Sequence, residues 1–318
     1  MEQYDLWKLD KKLQKEVDED RYHHTLGVMF TAASMAMVWG EDLEKARVAG
    51  LLHDCAKCIP NKKKITMCEK NKIEITEFER NNPFLIHAKL GAFLAKDKYK
   101  VEDPEILSAI TWHTTGKEDM TLLEKIIYIA DYIEPARNKA PHLTRLRKLA
   151  FTDIDECMYE ILKDSMAYLS ENPKTMDPMT EQAYQFYEAL HRERTESEDR
   201  KSGEAKQTAK LALEALEDKK AMDVRILDIT HVSTLADYFM IASGSNRNQV
   251  QAMADNVEEV LGKAGVHPKQ IEGYQTANWI LMDYGDVVIH IFDEENRLFY
   301  DLERIWRDGK VVEKEEIM

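Results

Sequence analysis

The sequence has 318 residues, enough for about two domains of ordinary size that each bury a core. Hydrophobic residues make up 44% and charged residues 32%, which is typical of folded globular chains and excludes a disordered or fibrous one. The net charge of −15 argues against a broad basic face for the nucleic-acid backbone, but it leaves open phosphates in a small pocket or a basic protein partner.

The amino terminus and the cysteines favour a cytoplasmic protein. No apolar run approaches the roughly 20 residues of a membrane helix, and residues 1–5 lack the basic and apolar regions of a signal peptide. Metal or redox chemistry at Cys55 and Cys58 is an open alternative, although no second such pair completes a zinc site. We interpret all four cysteines as packing thiols: Cys55, Cys58, Cys68 and Cys157.

Two helices near the start carry chemically capable side chains. The first periodic helix places His24 on its apolar stripe. The next is predicted from Asp42 to Lys57 and carries the pair His53 and Asp54, with Lys57 about one turn later over the same face. An adjacent imidazole and carboxylate can ligate one cation, but such a pair also occurs by chance in a helix cap or on a solvated surface.

Three more predicted helices repeat this placement. One opens near His87, one ends with His113 in line with its apolar stripe, and one over residues 121–131 places Asp131 on its apolar face. A single histidine in such a position is most often a core histidine paired with the backbone, whereas a buried carboxylate must be paired or metal-bound. The whole set predicts one shared metal centre: His24, His53, Asp54, His87, His113 and Asp131.

These positions resemble the HD-domain phosphohydrolases and, within them, the bacterial YqeK family of symmetrical diadenosine tetraphosphate hydrolases. The resemblance covers about residues 1–190 and implies an all-α HD domain that converts the dinucleotide to two ADP. Cys55 departs from the family, which usually has an aromatic residue there. An HD-type nucleotide monophosphatase or phosphodiesterase is the alternative. The resemblance rests on five segments: 21–28, 53–57, 85–91, 112–116 and 129–137.

The resemblance also implies two divalent metal ions, iron in that family, with manganese or another transition metal as alternatives. We assign one ion to His24, His53, Asp54 and Asp131, and the second to Asp54, His87 and His113. The last two histidines could contact phosphate instead. The expected catalytic residues are Asp54, Lys57 and Arg137, and the expected substrate-binding residues are Arg21, Lys57, His113, Thr114 and Arg137. For Arg137 an exposed surface arginine is an equal alternative.

A change in composition divides the chain. Amphipathic helix is predicted over residues 143–170 and 181–191, and residues 192–203 then contain no apolar side chain. We interpret 192–203 as a flexible polar linker between an HD domain at 1–191 and a second domain at 204–318.

The second domain mixes helix and strand patterns. A helix over 204–219 precedes strands at 223–229 and 238–242, a helix that carries Val250, and strands at 278–284 and 287–292. Gly285 and Asp286 suit a two-residue hairpin turn between the last two strands. A final helix is predicted to turn three side chains inward, and the fold class is a small α+β domain with a mixed sheet. The three side chains are Phe299, Leu302 and Ile305.

This domain offers little catalytic chemistry. A Gly-Ser after a strand resembles the start of a nucleotidyltransferase triphosphate site, but residues 246–250 lack the metal-binding carboxylates that should follow. His290 lies between Ile289 and Ile291 in a strand and is interpreted as structural.

The segments of this half resemble the RsfS, or Iojap-like, ribosomal silencing factors over nearly all of residues 205–310. They include 234–238, 243–245, 279–292 and 300–306. The resemblance implies a nucleotidyltransferase-like fold that binds ribosomal protein fourteen of the L series on the large subunit and blocks subunit joining. A homodimer through this domain is also possible. The expected partner-binding residues are aromatic and acidic: Trp279, Asp283, Asp286 and Tyr300. For Trp279 the alternative is a position in the core.

Overall fold

The computed structural model describes residues 4–170 and 176–317, and the chain divides into two units, Met1–Glu193 and Arg194–Met318. The described part of the first unit is helical, as predicted. Its helices are α1 Leu6–Leu13, α2 Glu19–Trp39, α3 Leu43–Leu52, α4 Asn61–Lys70, α5 Glu77–Asn81, α6 His87–Asp97, α7 Pro104–Trp112, α8 Leu122–Ile133, α9 Leu143–Leu149 and α10 Ile154–Ser170.

Side-chain caps determine where several of these helices begin. Asp18 accepts a hydrogen bond from the backbone nitrogen of Arg21 at 2.8 Å and starts α2. Thr121 and Glu124 form a reciprocal capping box at the start of α8. Helix α8 then lies at the centre of the core, with Ile126, Ile127 and its neighbours almost fully buried.

Helices α2 and α3 pack closely because a glycine lies between them. A Cβ added to Gly50 would lie 2.8 Å from the Cα of Met29, closer than real Cβ atoms approach. This contact brings the helix that carries His24 against the helix that leads to His53.

Two predicted helices end earlier than expected. The helix predicted to reach Lys57 ends at Leu52, where His53 caps it and a series of turns follows. The pattern predicted over 143–170 is interrupted between α9 and α10, where Asp153 provides the carbonyl and carboxylate that start the next helix. The apolar period continues through both sites, so periodicity alone did not reveal the breaks.

Helix α11 covers Pro178–Asp218 without interruption. The prediction of a flexible linker at 192–203 is therefore wrong for secondary structure, because these residues are helical. The predicted domains on either side of them stay a prediction. No helix among residues 4–170 and 176–317 is long and apolar enough to cross a membrane.

The second unit contains a mixed six-stranded sheet, which confirms the predicted fold class. The strand order is β3-β4-β5-β2-β1-β6; β2 and β5 run parallel, and all other neighbours are antiparallel. The strands are β1 Met222–Asp228, β2 Tyr238–Gly244, β3 Gln270–Glu272, β4 Trp279–Asp283, β5 Val287–Asp293 and β6 Lys310–Val312. The helices are α12 Arg247–Lys263, α13 Glu294–Tyr300, α14 Leu302–Ile305 and α15 Lys314–Ile317.

The predicted hairpin is present between β4 and β5. Tyr284 and Val287 face each other across the two-residue turn, and Gly285 has a φ of 87°, a conformation that favours glycine. The predicted inward face of the final helix is correct for Leu302 alone. Phe299 and Ile305 are 79% and 62% exposed, because the chain turns at Asp301 and divides the predicted helix into two short ones.

Candidate metal centre and partner surface

Six side chains from five helical regions of the first unit converge on one buried point, and all six come from the predicted set. His24 lies in α2, His53 and Asp54 follow α3, and His87 begins α6; His113 caps α7, and Asp131 lies in α8. Single atoms of His24, His53 and Asp131 lie within 4.8 Å of one another, and so do atoms of His53, Asp54 and His113.

The two carboxylate oxygens of Asp54 face different partners. Oδ1 lies 3.1 Å from Nε2 of His87 and 3.4 Å from Nε2 of His113, and these two nitrogens are 3.1 Å apart. Oδ2 lies 3.6 Å from Nε2 of His53. Ligands about 2.1 Å from one ion lie roughly 3 to 3.4 Å apart, so the Oδ1 group has the spacing of three ligands to a single cation.

Three histidines are oriented by the backbone. The Nδ1 atoms of His53, His87 and His113 each lie 2.5 to 2.7 Å from the carbonyl oxygen three residues earlier in the chain. An Nδ1–H that donates to a carbonyl leaves the lone pair on Nε2, which is the atom that points to the common centre. Two lone pairs that face each other at 3.1 Å repel, and a cation between them removes that repulsion.

Burial also keeps two of these rings neutral. It lowers the pKa of His53 and His87 to about 4, so both are uncharged at pH 7 and can act as ligands. Burial alone would raise the pKa of Asp54, but its surroundings hold the pKa well below the usual value, so the carboxylate stays ionised.

Three of the buried atoms have no hydrogen-bond partner within the described residues, namely Nε2 of His24, Nε2 of His53 and Oδ1 of Asp54. His24 Nε2 lies 3.0 Å from Asp131 Oδ1, a close approach without hydrogen-bond alignment. Buried polar atoms are rarely left unpaired. Unpaired acceptors around one point fit a bound metal ion, and the mixed nitrogen and oxygen set suits a first-row transition metal.

The predicted cationic residues surround this centre. Arg21 Nη1 lies 2.7 Å from Asp54 Oδ2, and Lys57 Nζ lies 3.8 Å from Asp54 Oδ1 and 3.1 Å from His87 Nε2. Arg137 is neither free nor buried: Nη2 pairs with Asp131 Oδ1 at 3.1 Å while 44% of the side chain is exposed. All three predicted cationic residues line a cavity of about 410 Å³: Arg21, Lys57 and Arg137.

Two other residues contact the histidines of the site. Thr114 Oγ1 lies 3.0 Å from His113 Nε2 and 3.1 Å from His87 Nε2. The side chain of Thr114, which was predicted to bind substrate, therefore lies at the centre. Glu134 was missed. It is 3% exposed, and Oε1 lies 3.2 Å from Nδ1 of His24. Its spacing of one helical turn after Asp131 is a sequence signal, but that spacing does not identify His24 as the partner.

The cysteines beside the site are separate thiols. Cys55 is buried with its sulfur 3.5 Å from the carbonyl of Gly91, and Cys58 is exposed and donates to Asp18. Burial raises the pKa of the Cys55 thiol to about 12, which keeps it protonated. Cys55 therefore packs beneath the metal centre as a small neutral side chain.

The predicted partner residues lie along one face and one end of the sheet in the second unit. Trp279 is half-buried, and its ring lies 4.8 Å from that of Tyr300, between centroids. Asp283 shares the face of β4 with Trp279, but it also accepts a hydrogen bond from the backbone of Gly285 at 2.7 Å. Asp286 is exposed in the hairpin turn. Beside Tyr300, Leu298 and Phe299 are 83% and 79% exposed, which leaves an apolar patch at the surface.

The helical arrangement and the convergent histidines and aspartates define an HD-domain protein, and the HD domain family model matches residues 21–136. The model described as "Ribosomal silencing factor during starvation" matches residues 202–318. The Bacillus subtilis (strain 168) protein named symmetrical bis(5'-nucleosyl)-tetraphosphatase is 40% identical over 176 residues, which cover 55% of this chain and 92% of that protein.

Ribosomal silencing factor RsfS of Halalkalibacterium halodurans is 42% identical over 108 residues, which cover 34% of this chain and 92% of that protein. A crystal structure from Clostridium acetobutylicum, described as a predicted HD superfamily hydrolase involved in NAD metabolism, matches with a TM-score of 0.57 at 37% identity. The match covers 59% of this chain and 98% of the Clostridium acetobutylicum chain. The chain belongs to two families: its first unit is an HD-domain hydrolase of the symmetrical bis(5'-nucleosyl)-tetraphosphatase family, and its second unit belongs to the ribosomal silencing factor family.

Proposed function

We propose that the first unit hydrolyses diadenosine tetraphosphate to two ADP in the cytoplasm, with two divalent metal ions bound at the converging side chains. The observation that carries this proposal is the position of Asp54, whose Oδ1 faces His87 and His113 while its Oδ2 faces His53. One ion would be held by His24, His53, Asp54 and Asp131, and the other by Asp54, His87 and His113. We favour iron, and manganese is the alternative.

When bound, the ions supply Lewis acidity that polarises a phosphoryl oxygen and makes hydroxide available near neutral pH. The side chains of this chain bind and orient the substrate. Arg21 and Lys57 lie beside Asp54 and can neutralise the inner phosphates, while Arg137 at the rim can form a two-pronged contact with an outer one. The hydroxyl of Thr114 can donate to a phosphate oxygen placed over His87 and His113.

Product analysis tests this reaction. A centre that holds the middle of the tetraphosphate directs water at an inner phosphorus so that the central P–O–P bond breaks and ADP leaves, and two ADP are therefore expected. ATP plus AMP would contradict the symmetrical reaction. Faster turnover of nucleoside monophosphates or cyclic nucleotides would favour the alternative, an HD-type monophosphatase or phosphodiesterase. Metal analysis of the purified chain decides between iron and manganese.

For the second unit, we propose binding to ribosomal protein fourteen of the L series on the large ribosomal subunit, which blocks subunit joining. The support is the surface formed by Trp279, Tyr300 and the exposed side chains beside them, with the carboxylate of Asp286 at the hairpin. Exposed aromatic side chains together with an exposed carboxylate suit a basic protein partner.

Cosedimentation with purified large subunits tests this surface. Tyr300→Ala and Asp286→Lys are expected to weaken binding, because the first removes an aromatic contact and the second reverses a charge. Lys263→Glu on α12 is a control, since Lys263 is an exposed residue of a helix that packs on the sheet through other side chains. Equal loss in all three variants would contradict the assignment of this surface.

A further inference from the structure

His24 differs from the other histidines at the metal centre in what holds its ring. His53, His87 and His113 lie at helix ends, and each Nδ1 is within 2.7 Å of a backbone carbonyl three residues earlier. His24 lies inside α2, where the backbone carbonyls already accept the hydrogen bonds of the helix. Its ring needs an acceptor from elsewhere in the fold.

Glu134 supplies that acceptor and is itself firmly held. Its Oε1 lies 3.2 Å from His24 Nδ1, and its Oε2 accepts from the backbone nitrogen of Ala136 at 2.6 Å. The residue is 3% exposed. Arg147 donates to the carbonyl of Ile133 at 2.9 Å and to that of Glu134 at 3.0 Å, and so fixes the segment that carries the carboxylate.

Gly27, one turn after His24, leaves room for this carboxylate. A Cβ at Gly27 would lie 2.7 Å from Glu134 Oε2. Gly27 is helical, so backbone conformation does not require a glycine there. The space therefore relates to Glu134, and three residues from two elements fit together around one hydrogen bond.

We propose that Glu134 is a positioning residue that holds His24 in the tautomer with hydrogen on Nδ1, so that the Nε2 lone pair faces the metal beside Asp131. The assignment rests on the proposed metal-dependent function. It also explains why a buried carboxylate lies outside the converging set: its two oxygens are used by two different N–H donors. A glutamine has one acceptor oxygen and cannot satisfy both, because its amide nitrogen would face a donor.

Metal affinity of the full chain tests this assignment. Glu134→Gln is nearly isosteric and is expected to weaken binding of Mn²⁺ alone about 10- to 100-fold at one site, as loss of an orienting partner does. Gly27→Ala should shift affinity in the same direction, since it displaces the carboxylate without removing it. Glu124→Gln is the matched control: Glu124 is 1% exposed and lies at the other end of α8, where its carboxylate caps the helix.

The ring state gives a second measurement on the Zn²⁺-loaded full chain with ¹⁵N-labelled histidine. The wild type should show protected Nδ1–H signals for His24, His53, His87 and His113. Glu134→Leu should lose the first signal and keep the other three, which serve as internal controls because their acceptors are backbone carbonyls.

The outcomes distinguish failure of the metal-dependent function from failure of the positioning role of Glu134. If the wild type binds neither Mn²⁺ nor Zn²⁺, the metal-dependent function fails and the role of Glu134 fails with it. If the wild type binds metal, and Glu134→Gln and Gly27→Ala bind it equally well with an unchanged His24 signal, the positioning role alone is overturned. Equal loss in Glu124→Gln would also overturn it, because the effect would then belong to any buried carboxylate of α8.

Discussion

Acid should destabilise the second unit through His290, a buried residue of β5 without a role in the proposed functions. His290 is 5% exposed, and burial lowers its pKa from the ordinary 6.5 to about 4. Trp279 Nε1 donates to Nδ1 at 3.2 Å, and Nε2 has no hydrogen-bond partner among the described residues. The folded protein therefore disfavours a second proton on this ring.

The sign of the effect follows from the two pKa values. Between pH 6.5 and about 4 the unfolded chain holds a proton on His290 that the folded chain lacks, so the free energy of unfolding falls as the pH falls. The stabilisation is fully present above pH 6.5. At ~1.4 kcal/mol per pH unit, the loss is about 2 kcal/mol at pH 5 and about 3 kcal/mol below pH 4.

Urea unfolding of the full chain at pH 7 and pH 5, followed by tryptophan fluorescence, measures this loss. His290→Gln cannot titrate, so it should lose about 2 kcal/mol less than the wild type between the two pH values. Contributions of other histidines occur in both proteins and cancel. His231→Gln removes an exposed histidine of the same unit and should behave like the wild type. Equal pH dependence in wild type and His290→Gln would refute the reasoning.

Three further predictions concern single sites. Asp54→Ala should abolish hydrolysis and leave the far-UV circular dichroism nearly unchanged, because Asp54 follows α3 and contributes to neither a helix cap nor the apolar core. Turnover by the metal-loaded variant would contradict the role of Asp54 as a metal ligand. Gly273→Ala should destabilise the second unit by more than about 1 kcal/mol in urea unfolding, because φ is +73° and the new Cβ would lie 1.9 Å from the carbonyl oxygen of Trp279. Gly265→Ala, with φ +81° and open space, should cost less. Mn²⁺ at 100 times its dissociation constant should stabilise the first unit by about 2.7 kcal/mol, which a chelator reverses; an unchanged melting temperature would count against a metal site.

The fold followed from sequence wherever one local pattern decided it. The β4–β5 hairpin was predictable because two β-type runs flank a glycine with the conformation that the turn needs. Strands β3 and β6 were not predicted, since each has three residues and pairs only at a sheet edge. So short a segment has too little period to recognise, and its position depends on partners far away in the chain.

The convergence of the six side chains was predictable because they lie where apolar periodicity would place a core residue. A histidine or aspartate on such a stripe must find a partner inside the protein, and several of them favour a common one. Glu134 escaped because it follows the last residue of α8 and belongs to no apolar stripe. Its partner His24 is 110 residues away, and only the packing of α2 against α8 shows the contact.

Residues 192–203 show what composition can and cannot exclude. The absence of apolar side chains rules out packing, and residues 195–204 of α11 are indeed exposed. The absence of apolar side chains does not rule out a helix, because glutamate, arginine and lysine are good helix formers. Glu196 also precedes Arg200 by four residues, the spacing at which an acidic and a basic side chain stabilise a helix. Residues 195–204 bury no side chain, whereas Ala209, Leu213 and Leu216 further along α11 are fully buried. We therefore predict that amide hydrogens of residues 195–204 exchange faster than those of residues 209–216, because local opening of the first segment exposes no apolar surface. Hydrogen exchange followed by mass spectrometry measures the difference, and equal protection of both segments would show that contacts other than local ones hold the polar turns.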